Sequence, residues 1–368
     1  MAELHAFVCL YKKNLSQCHL IKANNYKTDN IDTMKLTTLI TFSALLSASM
    51  SAPVLAITPA KEKLTIYTYS SFASDWGPGP KIETAFEASC NCDLEFVALD
   101  DGVSVLNRLR LEGKNSQADI LLGLDNNLIT TAKKTGLLAE HNIDLSAINL
   151  PNGWNDQTFV PFDYGYFAFV YNSEKLKNPP KSLKELVARK DLSVIYQDPR
   201  TSTPGLGLML WMKSVYGDKA SEAWKQLADK TVTVTKGWSE AYSMFLKGES
   251  DMVLSYSTSP AYHIIAEGKT QYVAANFSEG HYTQTEVAAI VKNTKHKKLA
   301  TEFMNFMLSD EFQSKIATGN WMYPVTDVAL PAEFKQLSLP VKSLSFSSEE
   351  VAEKSRTWLN EWLTALID

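Results

Sequence analysis

Hydroxyls, carboxylates and indoles gather at four places in this chain, each just ahead of a helical pattern. Asp100-Asp101-Gly102 precedes VSVLNRLRL, and Thr201-Ser202-Thr203-Pro204 precedes GLGLMLWMKSVYG. Gly237-Trp238-Ser239 precedes EAYSMFL, and Tyr256-Ser257-Thr258-Ser259 precedes PAYHIIAEG. Consecutive hydroxyls at a helix start, beside free N–H groups and a positive dipole end, form a cradle suited to phosphate. Thr203 fits the N-cap and Pro204 the first helical position, so a plainly capped helix is the competing reading. Asp101 reads as a cap or as a partner for positive charge, and Gly102 as a place where a ligand can approach the backbone. Trp238 offers a π face, with Ser239 capping its helix. Tyr69, Trp76, Trp321 and Tyr323 are further candidate walls. Aromatic faces attract aromatic or cationic groups, and hydroxyls with helix ends attract phosphate. A small molecule with both is the expected ligand.

A second chemistry competes for one of these places. Gly237-Trp238-Ser239-Glu240-Ala241 is one residue away from the G-x-S-x-G nucleophile elbow, and His263, His281 and His296 follow it. A secreted hydrolase using Ser239 is therefore an alternative. Ala241 stands where the strained elbow wants glycine, and no Gly-rich oxyanion loop follows an earlier strand. Binding is the preferred reading.

The elements that position these residues are legible from periodicity. Apolar β-type runs KLTIYTY, DLEFVAL, ADILLGL, TVTVT and DMVLSY each stop at a polar or aromatic loop and are followed by a helix. In open α/β sheets, ligands bind outside the carboxyl ends of the strands. Leu64 to about Asp163 makes three βα units and predicts a parallel sheet. A second βα series runs from LSVIYQD to SPAYHIIAEG. Two long extended segments, 158–172 and 282–293, each follow one series, as in a chain that crosses twice between two lobes. KKLATEFMNFMLSDEFQSKIA reads as one helix, and KNTKHKK before it as a solvated turn and helix start.

Residues 34–56 read as a secretory signal, with Lys35 as the charged start, an apolar stretch and a small-residue site ending at Ala56. Residues 1–33, with Cys9 and Cys18, show no pattern and read as an extension upstream of a start at Met34. A processed chain of about 310 residues exceeds what one core commonly supports, which favours two domains. A formal net charge of −5 argues against nucleic acid and anionic membrane surfaces. After processing only Cys90 and Cys92 remain, as Cys-Asn-Cys. In an oxidising compartment they are expected to form a disulfide, with two free thiols as the alternative. Residues two apart in a strand lie about 6.5–7 Å apart, so a bridge requires a bend at Asn91.

YTYSSFASDWGPGP, ALDDGVSVLNRLR, FVPFDYGYFAFVY, YQDPRTSTPGLGL, VTVTKGWSEAY, LKGESDMVLSYSTSPAYH and TGNWMYPV carry a resemblance that runs from about Leu64 to Trp362. Together they resemble the thiamine-binding periplasmic proteins of bacterial ABC transporters. The resemblance implies an α/β, two-lobed periplasmic binding protein fold of the class II type. Each lobe would be a mostly parallel sheet flanked by helices, with the two crossover segments as hinge. Lobe 1 is expected from 57–164 plus 284–325, and lobe 2 from 165–283 plus 326–368. Matching motifs put the family's ligand residues on Asp101, Gly102, Ser202, Thr203, Trp238, Tyr256, Ser257, Thr258 and Ser259. Ser257 stands where the family pattern would have Thr, and the hydroxyl is kept. The implied ligands are thiamine and its mono- and diphosphate, and the implied partner is a membrane permease. No cofactor, metal or catalytic residue is implied. Ferric ion and polyamines are the other solutes weighed. The first wants an adjacent Tyr pair and the second more carboxylates at the strand ends.

Overall fold

A computed structural model describes residues 61–367. The expected signal segment 34–56, the leader before it, Cys9 and Cys18 lie outside the described residues. The first βα series is β1 (Glu62–Tyr69), the short α1 (Ser70–Ala73), α2 (Gly79–Cys90), β2 (Cys92–Leu99), α3 (Gly102–Glu112), β3 (Ile120–Asp125) and α4 (Ile129–Lys133). β1 lies between β2 and β3 and runs parallel to both. The long β4 (Phe159–Asn172) then leads to α5 (Leu183–Ala188), β5 (Val194–Gln197), α6 (Thr203–Tyr216) and α7 (Ala220–Ala228). Next come β6 (Thr231–Thr235), α8 (Trp238–Leu246), β7 (Met252–Tyr256), α9 (Pro260–Glu267) and β8 (Tyr272–Ala274). β5 pairs in parallel with both β6 and β7. The chain closes with β9 (His281–Ile290), α10 (Lys297–Phe306), α11 (Asp310–Lys315), β10 (Tyr323–Pro324), β11 (Ser343–Leu344) and α12 (Ser348–Ala365).

The strand order is β2-β1-β3-β9-β4-β7-β5-β6. β4 and β9 run antiparallel to their neighbours in this order and join the two parallel segments. From Phe159 to Tyr166, β4 pairs with β9, and from Phe167 onward it pairs with β7. The register shifts twice beside the same point of β9: between Pro161 and Asp163 on β4, and between Leu122 and Leu124 on β3. Such bulges bend a strand and re-aim its side chains. The bulge in β3 centres on Gly123, whose φ is +98°. A Cβ there would lie 2.2 Å from the Tyr69 ring, so glycine is needed both for the turn and for the room.

Helix α6 is apolar on all sides, and Thr203 to Met212 are all buried, as an all-round hydrophobic helix requires. Trp211 within it is fully buried and donates through Nε1 to Gly280 O at 3.1 Å. The single helix expected from KKLATEFMNFMLSDEFQSKIA is two helices, α10 and α11. The break is set by Ser309, whose hydroxyl caps α11 by accepting from Phe312 N. α12 carries no expectation from periodicity. It buries Val351, Trp358, Trp362 and Ala365 along one face, and its ends of contact include α4 and α7.

The sulfurs of Cys90 and Cys92 are joined. Cys90 ends α2 and Cys92 begins β2, so the pair is not in one strand. Asn91 between them takes the left-handed conformation, φ 51°, which brings the two Cα atoms to 5.2 Å. Asn adopts that conformation more readily than most residues.

Candidate functional site

The loops at the carboxyl ends of β1, β2, β6 and β7 enclose a cavity of about 350 Å³. Tyr69 and Trp76 come from the β1 end, Asp101 from the β2 end, Trp238 and Tyr242 from α8, and Tyr256, Ser259 and Tyr262 from β7 and α9. Asn320 and Trp321 reach in from the π-helical turn Ile316–Asn320, and Glu286 lies at the floor on β9. Trp238 stacks on Tyr242 with ring centroids 4.8 Å apart, and Trp76 stands 6.2 Å from Trp238. The indole of Trp238 is fixed by a 2.7 Å donation from Nε1 to Ser255 Oγ. Trp321 packs edge-on to Tyr262 at 5.4 Å and holds φ 58°. A bulky residue in that conformation is rare, and strain of this kind collects at ligand sites. Among the described residues lining the cavity there are two carboxylates and no Lys, Arg or His.

Asp101 is 5% exposed and sits where three helix N-termini meet. Its Oδ1 accepts from Gly102 N at 2.7 Å and Thr203 Oγ1 at 3.1 Å; its Oδ2 accepts from Ser202 Oγ at 2.8 Å and Trp238 N at 3.1 Å. Burial pushes the Asp101 carboxyl above its ordinary range, and these donors pull it back. The cradle expected for phosphate at Ser202 and Thr203 therefore holds a carboxylate of the protein itself. Ser202, not Thr203, is the N-cap of α6; its Oγ accepts from Gly205 N. Pro204 accordingly falls one position later than expected. Gly102 does not face the cavity. A Cβ on it would lie 2.1 Å from Gly123 O and 2.7 Å from Thr203 Cγ2, so it allows close packing of protein on protein. α8 starts at Trp238 after Gly237, with no side-chain cap, so Ser239 does not cap it.

Of the nine expected ligand residues, Asp101, Trp238, Tyr256 and Ser259 line the cavity. Gly102, Ser202 and Thr203 stand directly behind Asp101. Ser257 and Thr258 turn away: Ser257 Oγ is buried without a partner, and Thr258 Oγ1 donates to Met322 Sδ. Tyr69, Trp76 and Trp321 line the cavity, whereas Tyr323 stacks on Tyr164 instead. Ser239 is on the wall, but the three histidines are committed elsewhere. His263 bonds Tyr242 and Glu267, His281 bonds Phe167 O and Phe277 N, and His296 bonds Glu62. No hydrogen bond joins Ser239 to any of them, and an elbow without its base is not a nucleophile.

The sequence reading missed Tyr242, Tyr262, Asn320 and the buried acids under the floor. Asp163 and Glu286 are cross-strand partners on β4 and β9. Burial pushes Asp163 up to about 8 and, with the Asp163 charge, Glu286 well above the carboxylate range. The signal was available: lone acids inside FVPFDYGYFAFVY and TEVAAIV, where apolar flanks imply burial. An acid raised in the folded state keeps its proton there after the unfolded chain has lost it. The stability this gives is complete below the unfolded value near 4 and is lost as pH rises through about 8. Asp163→Asn is accordingly expected to flatten the fall in melting temperature between about pH 4 and about pH 8, measured by calorimetry without ligand. An unchanged slope in the variant would rule Asp163 out as its source.

The family model for bacterial extracellular solute-binding proteins matches residues 78–314. The thiamine-binding periplasmic protein of Escherichia coli (strain K12) is 63% identical over 317 residues, covering 86% of this chain and 96% of that one. Its counterpart of the same name from Brucella melitensis biotype 1 is 52% identical over 335 residues, covering 90% and 99%. A solved structure described as a periplasmic thiamin binding protein superposes with a TM-score of 0.82 at 64% identity, covering 83% of this chain and 96% of that one.

Proposed function

The chain belongs to the bacterial extracellular solute-binding protein family, and on that premise we propose that thiamine is the solute its cleft takes. It is a periplasmic binding protein of two-lobed α/β fold, the receptor component of an ABC importer, and not an enzyme. One observation carries the choice of ligand: the cavity has aromatic walls, an acidic floor and, among the described residues lining it, no basic side chain. Thiamine is an aminopyrimidine joined to a permanently cationic thiazolium. Its rings suit stacking on Trp238, Trp76 and Trp321, and its charge suits both the π faces and the carboxylates. The names of the relatives support the same reading.

For thiamine mono- and diphosphate, the phosphate lies at the Asp101 end. The starts of α3, α6 and α8 meet there, and the donors that Asp101 holds pass to the phosphate when it is seated, beside the Ser239 and Ser243 hydroxyls on the wall. Capture works by hinge closure between lobe 1 (57–164 plus 284–325) and lobe 2 (165–283 plus 326–368). Two observations support that division: β4 changes partner between Tyr166 and Phe167, and β9 meets it there at Thr283. Closure follows binding only when the closed form holds the ligand more tightly than the open form. The closed complex is what a membrane permease receives.

Isothermal titration with thiamine and its two phosphates tests this reading. Saturable one-to-one binding of thiamine is the expected result, and no binding would overturn it. Ser202→Ala with Thr203→Ala is expected to weaken the phosphorylated forms more than thiamine. Equal losses would move the phosphate away from α6.

A further inference from the structure

Beneath the aromatic walls lies a chain of hydrogen bonds that contains acids and no base. Glu286 is 4% exposed at the cleft floor. Its Oε2 accepts from Tyr69 Oη at 2.6 Å and its Oε1 from Gln284 Nε2 at 2.7 Å. Gln284 Oε1 in turn accepts from Tyr256 Oη at 2.9 Å. On the other side, Asn320 Nδ2 donates to Tyr69 Oη at 2.8 Å and to Asp163 Oδ2 at 2.6 Å. Asp163 Oδ1 is buried with no partner. The groups that face Glu286 are thus Tyr69 of β1, Asp163 of β4, Tyr256 of β7, Gln284 of its own strand and Asn320 after α11. The charges of Asp101 from the start of α3 and Asp125 of β3 also act on it. Among these there is no Lys, Arg or His.

Two carboxylates opposite one another in a buried place, with two more acids nearby, do not both ionise; they titrate as a pair. Glu286 lines the cleft, so a cation bound there can reach the pair. These acids are not gathered as metal ligands either: no group of three or more His, Cys, Asp and Glu among the described residues is placed to hold a metal ion. We propose that Glu286 is the counter-charge for the cationic ring of the ligand, and that a proton held by the Glu286–Asp163 pair leaves to solvent when that ring is seated. The proposal rests on the thiamine reading above. It makes recognition depend on charge as well as on ring shape: a neutral molecule of the same outline leaves the proton in place and gains nothing from the pair. It also sets the direction of the pH effect. If binding releases a proton, affinity rises with pH while the free pair remains protonated, and levels off once the free pair has lost that proton.

The test is titration calorimetry of wild type with thiamine near neutral pH, in two buffers of different ionisation enthalpy. Release of about one proton per thiamine is expected, with affinity rising by up to about tenfold per pH unit below the plateau. Glu286→Gln should abolish the release and weaken thiamine by about tenfold or more, while sparing the neutral aminopyrimidine alcohol half of thiamine. Asp163→Asn, set behind the floor, removes the like charge beside Glu286 but not its burial, and should move the release to lower pH. Normal thiamine binding by wild type with no proton exchange overturns the proposal and leaves the thiamine reading intact. Failure of wild type to bind thiamine at all overturns the reading beneath it. Release that persists in Glu286→Gln overturns the proposal, and a pH dependence unchanged in Asp163→Asn removes Asp163 from the pair. The wild-type measurement decides the matter even if a variant does not fold.

Discussion

Trp238→Ala is expected to weaken thiamine and both its phosphates by a similar factor, on the order of thirtyfold to a hundredfold. The indole is held on one face and at its edge. Tyr242 stacks behind it at 4.8 Å, Ser255 accepts its N–H at 2.7 Å, and its other face is turned to the cavity beside Trp76. A wall fixed in this way loses little entropy when a ring settles on it, so its removal costs the full stacking and cation–π contribution, roughly 2–3 kcal/mol together. The phosphate does not enter the argument, which is why the three ligands should suffer alike. Titration calorimetry of the three against the variant checks it. A loss confined to the phosphorylated forms would place Trp238 at the phosphate end and the ring elsewhere. Trp238→Phe keeps a π face without the N–H and is expected to retain most of the affinity.

Asp101→Ala is expected to carry the largest cost in stability of any single change in the cleft. Two hydroxyls and three backbone N–H groups from α3, α6 and α8 converge on that one carboxylate. Alanine leaves these five donors without that acceptor in a buried place, at roughly 1–3 kcal/mol for each group left unpaired, partly relieved by water. A total of about 3–5 kcal/mol corresponds to a melting temperature lower by about 5–15 °C. Thiamine affinity should fall as well, because Asp101 ties the β2–α3 loop to the starts of α6 and α8. Asp101→Asn keeps one acceptor oxygen and is expected to lie between. Thermal unfolding with and without thiamine separates the two effects. A variant that melts like wild type would show that the three helix starts do not need the anion.

Much of this was legible in the sequence, for particular physical reasons. Periodicity marked the eight strands of the main sheet path within three residues, because most are apolar runs ended by a polar or aromatic loop. The crossing segments were legible because nothing else among the described residues is extended for so long. Asp101, Trp238 and Tyr256 were legible as cleft residues because they sit at strand ends. What periodicity could not give was the meeting of distant segments. Ser202 and Thr203 promised an anion cradle, and nothing local reveals that Asp101, a hundred positions earlier, fills it. Tyr242 and Tyr262 lie within helices, where an aromatic reads as core. Gly102 promised close approach by a ligand, and the approach is made by the carbonyl of Gly123, in the bulge that also gives Tyr69 its room. α12 went unread because its buried residues are four among eighteen, two of them tryptophans spaced as on any amphipathic helix.

The partner that completes β3 is β9, with Ile120 opposite Ile290. The part of the protein that is written first is therefore finished late. Until His281 and the residues after it exist, β3 has an open edge and the first stretch of β4 has no neighbour on that side. Neither half of the molecule is a continuous stretch of gene. A single crossover cannot exchange one half for a relative's, and a chain cut between β4 and β9 leaves both halves incomplete. They are inherited, synthesised and completed together.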